Sequence, residues 1–353
     1  MPIKLTNYVN PQKIALYVKQ LPVEDTMDKM LFPNKKVDGT TFEMAKGAKK
    51  RAVALRQSAF DTRAKLRSLN AKVDTNTKEI PFFKEGVTVS EKDKRDLMDL
   101  KAAGADDRAE FVLNEIYKGH AELVEGADIV AKGMRAQVIQ NGNIVYSSNP
   151  QDGNVIVDYG IPSNHKVTLT GTDKWTDASA DIYGDIVKFK QILTKEHYAA
   201  PNAMLMTEVT FMNTIMKNTA IINDIKNSNL NTTRILDETD FLNFLQRRLK
   251  MSVAFEETTT YCPYKGAKEI PYYDDNKVTF INSTNLGNTL YGVTPEEYDL
   301  SVRTNKWPTI IYDGRIAIST EEMFDPVTTN TKVSVMPIVS FEKADETIFA
   351  TVG

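Results

Sequence analysis

Apolar positions return every three or four residues across 106–140, in DDRAEFVLNEIYKGHAELVEGADIVAKGMRAQVIQ. Ala109, Leu113, Ile116, His120, Leu123, Ala127, Val130, Met134 and Val138 fall on one stripe, the signature of a helix with one buried face. Asp106 and Asp107 suit its start, and Asn141 with Gly142 suits its end. These 35 residues would run about 50 Å at 1.5 Å per residue. That is long for a chain whose compact radius of gyration would be about 19 Å. Gly119, Gly126 and Gly133 recur at every seventh position, so they drift only about 20° per repeat and share a face. Each costs roughly 1 kcal/mol of helix propensity against alanine, and such a face is expected to admit close packing of another backbone or bending of the rod.

The pattern elsewhere is more broken. Pro2, Pro11, Pro22 and Pro33 interrupt any long helix over 1–38 and predict an extended arm with short helical turns. Ala48, Ala52, Leu55, Ala59, Leu66 and Leu69 recur near helical spacing, so periodicity alone predicts a basic amphipathic helix over 48–72. Residues 73–90 are turn-rich with Pro81 and read as loop and strand. After the long helix, GNIVYSS, NVIVDYGI and KVTLTGT predict a small antiparallel sheet lying against it. DASADIYGDIVKFKQILTKEHY predicts a second amphipathic helix, with Ile182, Ile186, Phe189, Ile192 and Leu193 inward. AMLMTEVTF reads as a strand, 210–227 and 238–250 as helical turns, and MSVAFEE, KVTFIN and TLYGVT as strands. Together they make a second α+β unit ending near Thr309. The closing DPVTTNTKVSVMPIVSF is a β return expected to pair with the early sheet, which would make the middle unit an insertion.

Composition leaves this picture intact. With 353 residues, 41% hydrophobic and 26% charged, the chain reads as ordinary soluble protein, one large domain or two. The first 30 residues lack the apolar run of a secretory signal, and no stretch approaches the roughly 18 apolar residues that span a bilayer. Cys262 is the sole cysteine, which rules out an intrachain disulfide and fits a reducing cytoplasm.

Charge changes the picture more. KGAKKRAVALRQSAFDTRAKLRSLNAK, residues 46–72, carries nine basic residues against Asp61. Subtracting its net +8 from the chain's −3 leaves −11 on the other 326 residues. An acidic body with a basic arm suits a protein that binds copies of itself, whereas a dedicated nucleic-acid binder is more often basic throughout.

Candidate chemistry is sparse. His120, His165 and His197 show no ligand spacing, and there is no GxSxG elbow, phosphate loop or dinucleotide fingerprint. His120 on the stripe reads as a core or interface histidine and Cys262 as an inert side chain. The pairs Glu256 with Glu257, Asp274 with Asp275 and Glu321 with Glu322 read as solvated acids or partners for the basic arm. No catalytic residue, metal ligand or cofactor site is assigned, and the expectation is a protein that is not an enzyme.

Taken in order, KKRAVALRQSAFDTRAK leading to KEIPFFKEGVTVSEKD, the long helix after Asp106, NAMLMTEVTFMNTIMKN, NTLYGVTPEEYDL and EEMFDPVTTNTKVSVMPIVSF resemble the major capsid proteins of tailed bacteriophages. The likeness is to the lambda-type capsid protein E family, and it spans most of residues 40–345. The resemblance implies the α+β Hong Kong 97 shell fold. Residues 1–45 would be an amino-terminal arm and 46–92 an E-loop hairpin. Residues 93–165 with 310–353 would form a peripheral domain around a spine helix, and 166–309 an inserted axial domain. It also implies an extended run over 48–72 in place of the helix that periodicity predicts, and this is the reading adopted.

The implied function is self-assembly, in hexamers and pentamers, of an icosahedral shell enclosing phage DNA. Assembly would take place in the host cytoplasm, away from membranes. Scaffold, portal and decoration proteins and non-specific contact with packaged duplex DNA are further implied partners. On this view Lys49, Lys50, Arg51, Arg56, Arg63, Lys65 and Arg67 make the E-loop's contacts to an adjacent subunit. Gly119, Gly126 and Gly133 serve the spine helix. Isopeptide crosslinking, known in one branch of the fold, has no matching motif here. The alternatives are a free-standing nucleic-acid binder using 46–72 and a non-viral compartment shell of the same fold.

Overall fold

The structure, a computed structural model, describes residues 9–21, 26–44, 76–149, 153–228, 235–264, 266–302 and 308–353. They divide into two units, each assembled from three stretches of chain. The first comprises Met1–Phe42, Thr77–Arg135 and Asn288–Ser340, and the second Glu43–Asn76, Ala136–Gly287 and Phe341–Gly353.

In the first unit, Pro11 breaks nothing. It occupies the first turn of the ten-residue helix Pro11–Gln20, where its missing N–H is not needed and its φ is already helical. Asn10 caps that helix by accepting from the Lys13 amide at 3.0 Å. The expected extended arm therefore carries a true helix, with Ile14, Ala15 and Val18 buried. A second helix, Glu91–Ala102, starts at a capping box formed by Ser90 and Asp93. The long helix runs Asp106–Asn141, 36 residues, belonging to this unit as far as Arg135 and to the second from Ala136, and Gly142 ends it in the left-handed region at φ 63°.

Among the described residues the sheet beneath is four-stranded and antiparallel, in the order Thr309–Tyr312, Ile316–Glu322, Thr329–Val335, Phe83–Val89. Its inner face, with Ile316, Ile318, Val333 and Val335, joins Ile14, Val18, Leu113, Val124 and Ala131 in one core. The β return thus pairs with Phe83–Val89, not with the hairpin that follows the long helix. A smaller sheet sets Gly287–Tyr291 between Asn34–Lys36 and Pro337–Phe341.

The second unit is organised by a five-stranded mixed sheet in the order Lys166–Thr168, Ile348–Thr351, Lys277–Ile281, Ala203–Thr207, Ser252–Glu256. Here the expected three-stranded early sheet is corrected. Asn143–Asn149 and Gly153–Asp158 pair with each other, whereas Lys166–Thr168 runs parallel to Ile348–Thr351. Gly160, at φ 60°, and the tight turn Ser163–His165 redirect the chain before the third segment can return. The second amphipathic helix is found at Ile182–Lys195, with Ile182, Ile186, Phe189 and Leu193 buried and Ile192 half-buried. AMLMTEVTF is strand only to Thr207. There the threonine hydroxyl accepts from the Thr210 amide at 3.2 Å and starts the helix Glu208–Asn213.

Candidate functional site

The basic run leaves and re-enters the described chain through one stem. Strand Thr41–Met44 pairs with Asn76–Glu79, and the Ile80 amide donates to the Thr40 carbonyl at 2.8 Å. Lys49, Lys50, Arg51, Arg56, Arg63, Lys65 and Arg67 lie between these strands, outside the described residues, and so does the choice between helix and extended chain over 48–72. The chain beside the stem is tightly seated. The Val293 amide donates to the Gly39 carbonyl at 3.2 Å, and Gly292 donates to Met336 at 2.9 Å. A Cβ added at Gly292 would sit 2.9 Å from the Gly39 oxygen and 3.1 Å from Ile80 Cδ1. Backbone occupies the space a side chain would need.

Along the long helix the buried stripe holds at Ala109, Leu113, His120, Ala127, Met134 and Val138, while Ile116, Leu123 and Val130 are half-buried. Gly119 and Gly126 are half-exposed, and among the described residues nothing lies within 4 Å of a Cβ built on either. Gly133 is buried. His120 is buried, with Nδ1 2.5 Å from the Ile116 carbonyl and no partner for Nε2 among the described residues. Burial pushes its pKa down, against a smaller upward pull from that backbone contact. Two arginines fix the helix within the first unit. Arg135 Nε donates to Asp28 Oδ2 at 2.5 Å, both side chains being 2% exposed. Arg315 donates to Asp128 and, at 2.7 Å, to Asp313, with its guanidinium 5.2 Å from the Tyr291 ring centre.

An acidic groove of about 280 Å³, lined by Glu296, Asp299, Glu321, Asn330 and Lys332 among others, lies in the first unit. Burial would raise the Glu296 pKa, but hydrogen bonds from Lys332 and Ser334 outweigh it and hold the carboxyl below its ordinary value. Beyond the groove, residues 321–327 are all exposed, and Phe324 is 95% exposed. The turn is pinned by Met323 donating to the Thr328 carbonyl at 2.9 Å and Val327 donating to Glu91 Oε1 at 2.5 Å.

One acid pair departs from the solvated reading. Glu256 is 3% exposed at the end of Ser252–Glu256. Sequence reasoning missed it because a buried carboxylate leaves no local signal; the apolar SVAF preceding it was the available hint. His165 is buried with Nε2 3.0 Å from Glu196 Oε2, and Cys262 is exposed and free. Among the described residues no three His, Cys, Asp or Glu side chains gather as a metal site, and no helix is long and apolar enough to cross a membrane.

The family described as phage major capsid protein E matches residues 10–352. The chain belongs to this family. As a major capsid protein it is a structural protein of the bacteriophage virion, one that forms the shell by self-association, and neither alternative reading is favoured. No curated protein matches the sequence. Among solved structures, one assigned as the capsid protein of a prophage of Escherichia coli CFT073 has a TM-score of 0.57 at 11% identity, covering 98% of this chain and 99% of that one. A phage-related protein from Bordetella bronchiseptica RB50 scores 0.49 at 13% identity, covering 97% of each chain. The capsid of myovirus phage XM1 scores 0.45 at 12%, covering 94% of each. The fold is the Hong Kong 97 shell fold that the resemblance implied.

Proposed function

We propose that this capsid protein encloses phage genomic DNA in an icosahedral shell of hexamers and pentamers, and that the E-loop region 46–92, through its part before the strand Asn76–Glu79, ties each subunit to the next. The stem at Thr41–Met44 and Asn76–Glu79 is the observation that carries this reading. A segment that leaves and returns through one paired base, with roughly 15 residues a side, can reach at most about 50 Å. The net +8 of 46–72 against −11 elsewhere supports a neighbouring copy as its landing surface, because opposite-sign patches set register and steer encounter more than they add affinity. The groove at Glu296, Asp299 and Glu321 has the matching sign.

In this scheme the chain performs no catalysis. The domain scheme follows the resemblance: arm 1–45, E-loop region 46–92, peripheral domain 93–165 with 310–353, and axial domain 166–309. Assembly takes place in the host cytoplasm, with scaffold, portal or decoration proteins joining and packaged DNA touched without sequence preference. The test is the triple variant Arg63→Glu, Lys65→Glu, Arg67→Glu, followed by light scattering and negative-stain microscopy. Loss of shells with an unchanged melting temperature is expected. Normal shells overturn the landing assignment, and a wild-type chain that stays monomeric at every concentration overturns the shell reading itself.

A further inference from the structure

The end of the long helix carries a polar cluster that shell formation does not account for. Gln140 holds three groups at once. Its Nε2 donates to Glu256 Oε2 at 2.9 Å and to the Asp274 carbonyl at 3.0 Å, while its Oε1 accepts from the Asp274 amide at 2.8 Å. The last helical turn is thereby fastened to the end of one strand and to the turn that opens another. Glu256 Oε1 has no partner among the described residues.

The remaining charges that face this carboxyl are spoken for. Lys277 Nζ donates to Asn141 Oδ1 and to Asp274 Oδ2, both at 2.7 Å. Asp275 Oδ1 accepts from the Thr207 hydroxyl at 2.6 Å, and Thr207 is the strand neighbour of Glu256. Tyr261, whose pKa burial and then Asp274 raise, stays neutral over the physiological range. Glu256 thus has one donor, no adjacent free cation among the described residues, and Asp274 of like sign close by.

We propose that Glu256 is a proton-dependent latch on the last turn of the long helix, closed with Gln140 while the carboxyl is neutral and loosened when it ionises. The anion would sit desolvated with half its acceptor capacity unmet. Opening the Gln140 clamp to admit water or to release Lys277 from Asp274 relieves it. Burial, outweighing the donor from Gln140 and the pull of Lys277, pushes the folded-state pKa up to about 8. The sign follows. The unfolded chain gives up this proton near the ordinary carboxylate value, so the stability intact below that value declines as pH rises to about 8 and is flat beyond.

The experiment compares the full chain with Glu256→Gln, which keeps the shape and the contact to Gln140 without the ionisable proton, by thermal melting from pH 6 to pH 9.5. A wild-type melting temperature that drops below the variant's by about a further 4 °C across that range is expected; a gap that does not change with pH overturns the proposal. Should the variant fail to fold, hydrogen exchange of the wild type decides. Amides of 138–142 must speed up with pH more than those of 113–127 in the same helix, and parallel profiles overturn the latch.

Discussion

Arg135 and Asp28, each 2% exposed and 2.5 Å apart, show how much can hang on one pair of side chains. Two charges removed from water are tolerable only while they face each other, and removing one leaves the other uncompensated. Arg135→Met is therefore expected to destabilise the chain by about 3–5 kcal/mol, whereas Arg135→Met with Asp28→Leu recovers most of the loss; chemical denaturation of the two variants checks this. Gly292 makes the complementary point about space. With the Gly39 oxygen 2.9 Å from where its Cβ would lie, Gly292→Ala must push the chain beside the stem apart, at a cost of about 1–3 kcal/mol. Proteolysis within 45–75 should quicken relative to cleavage elsewhere, and an unchanged cleavage pattern would refute that seating.

At the scale of elements, the long helix was legible because its signals agree: acids at the start, an apolar stripe, and Asn141 with Gly142 at the end. The helix Glu91–Ala102 escaped notice because Leu97 is its one buried side chain, so no stripe announces it; Ser90 and Asp93 were the readable cue. The helix Pro11–Gln20 is masked in the sequence by its proline, which stands in the first turn, where a missing N–H costs nothing. The glycine face was legible as a pattern, but its purpose was not, since nothing described in the chain fills the space at Gly119 and Gly126. If that space is kept for a neighbouring subunit, Gly126→Leu should raise the melting temperature of the unassembled chain, because leucine gains up to about 1 kcal/mol of helix propensity over glycine, and yet should slow or abolish shell formation. Faster melting with normal assembly would show that the glycine serves the chain alone.

For the whole molecule the decisive property is the separation of +8 in 46–72 from −11 elsewhere. Contacts between exposed charges are screened within about 8 Å at physiological ionic strength. Raising salt should accordingly slow the growth of light scattering in the wild type, and a growth rate indifferent to salt would count against charge-steered encounter. Charge separation of this kind is fully visible in a sequence; the surface that answers it is not, because Glu296, Asp299 and Glu321 are brought to one groove only by folding.

The order of the five-stranded sheet also bears on synthesis. Ile348–Thr351 is an interior strand, hydrogen-bonded on one side to Lys166–Thr168 and on the other to Lys277–Ile281. A nascent chain cannot complete that sheet until residue 351 has left the ribosome, however long its earlier strands have waited. A chain terminated before that strand would leave both Lys166–Thr168 and Lys277–Ile281 with unpaired edges where the finished protein has paired ones.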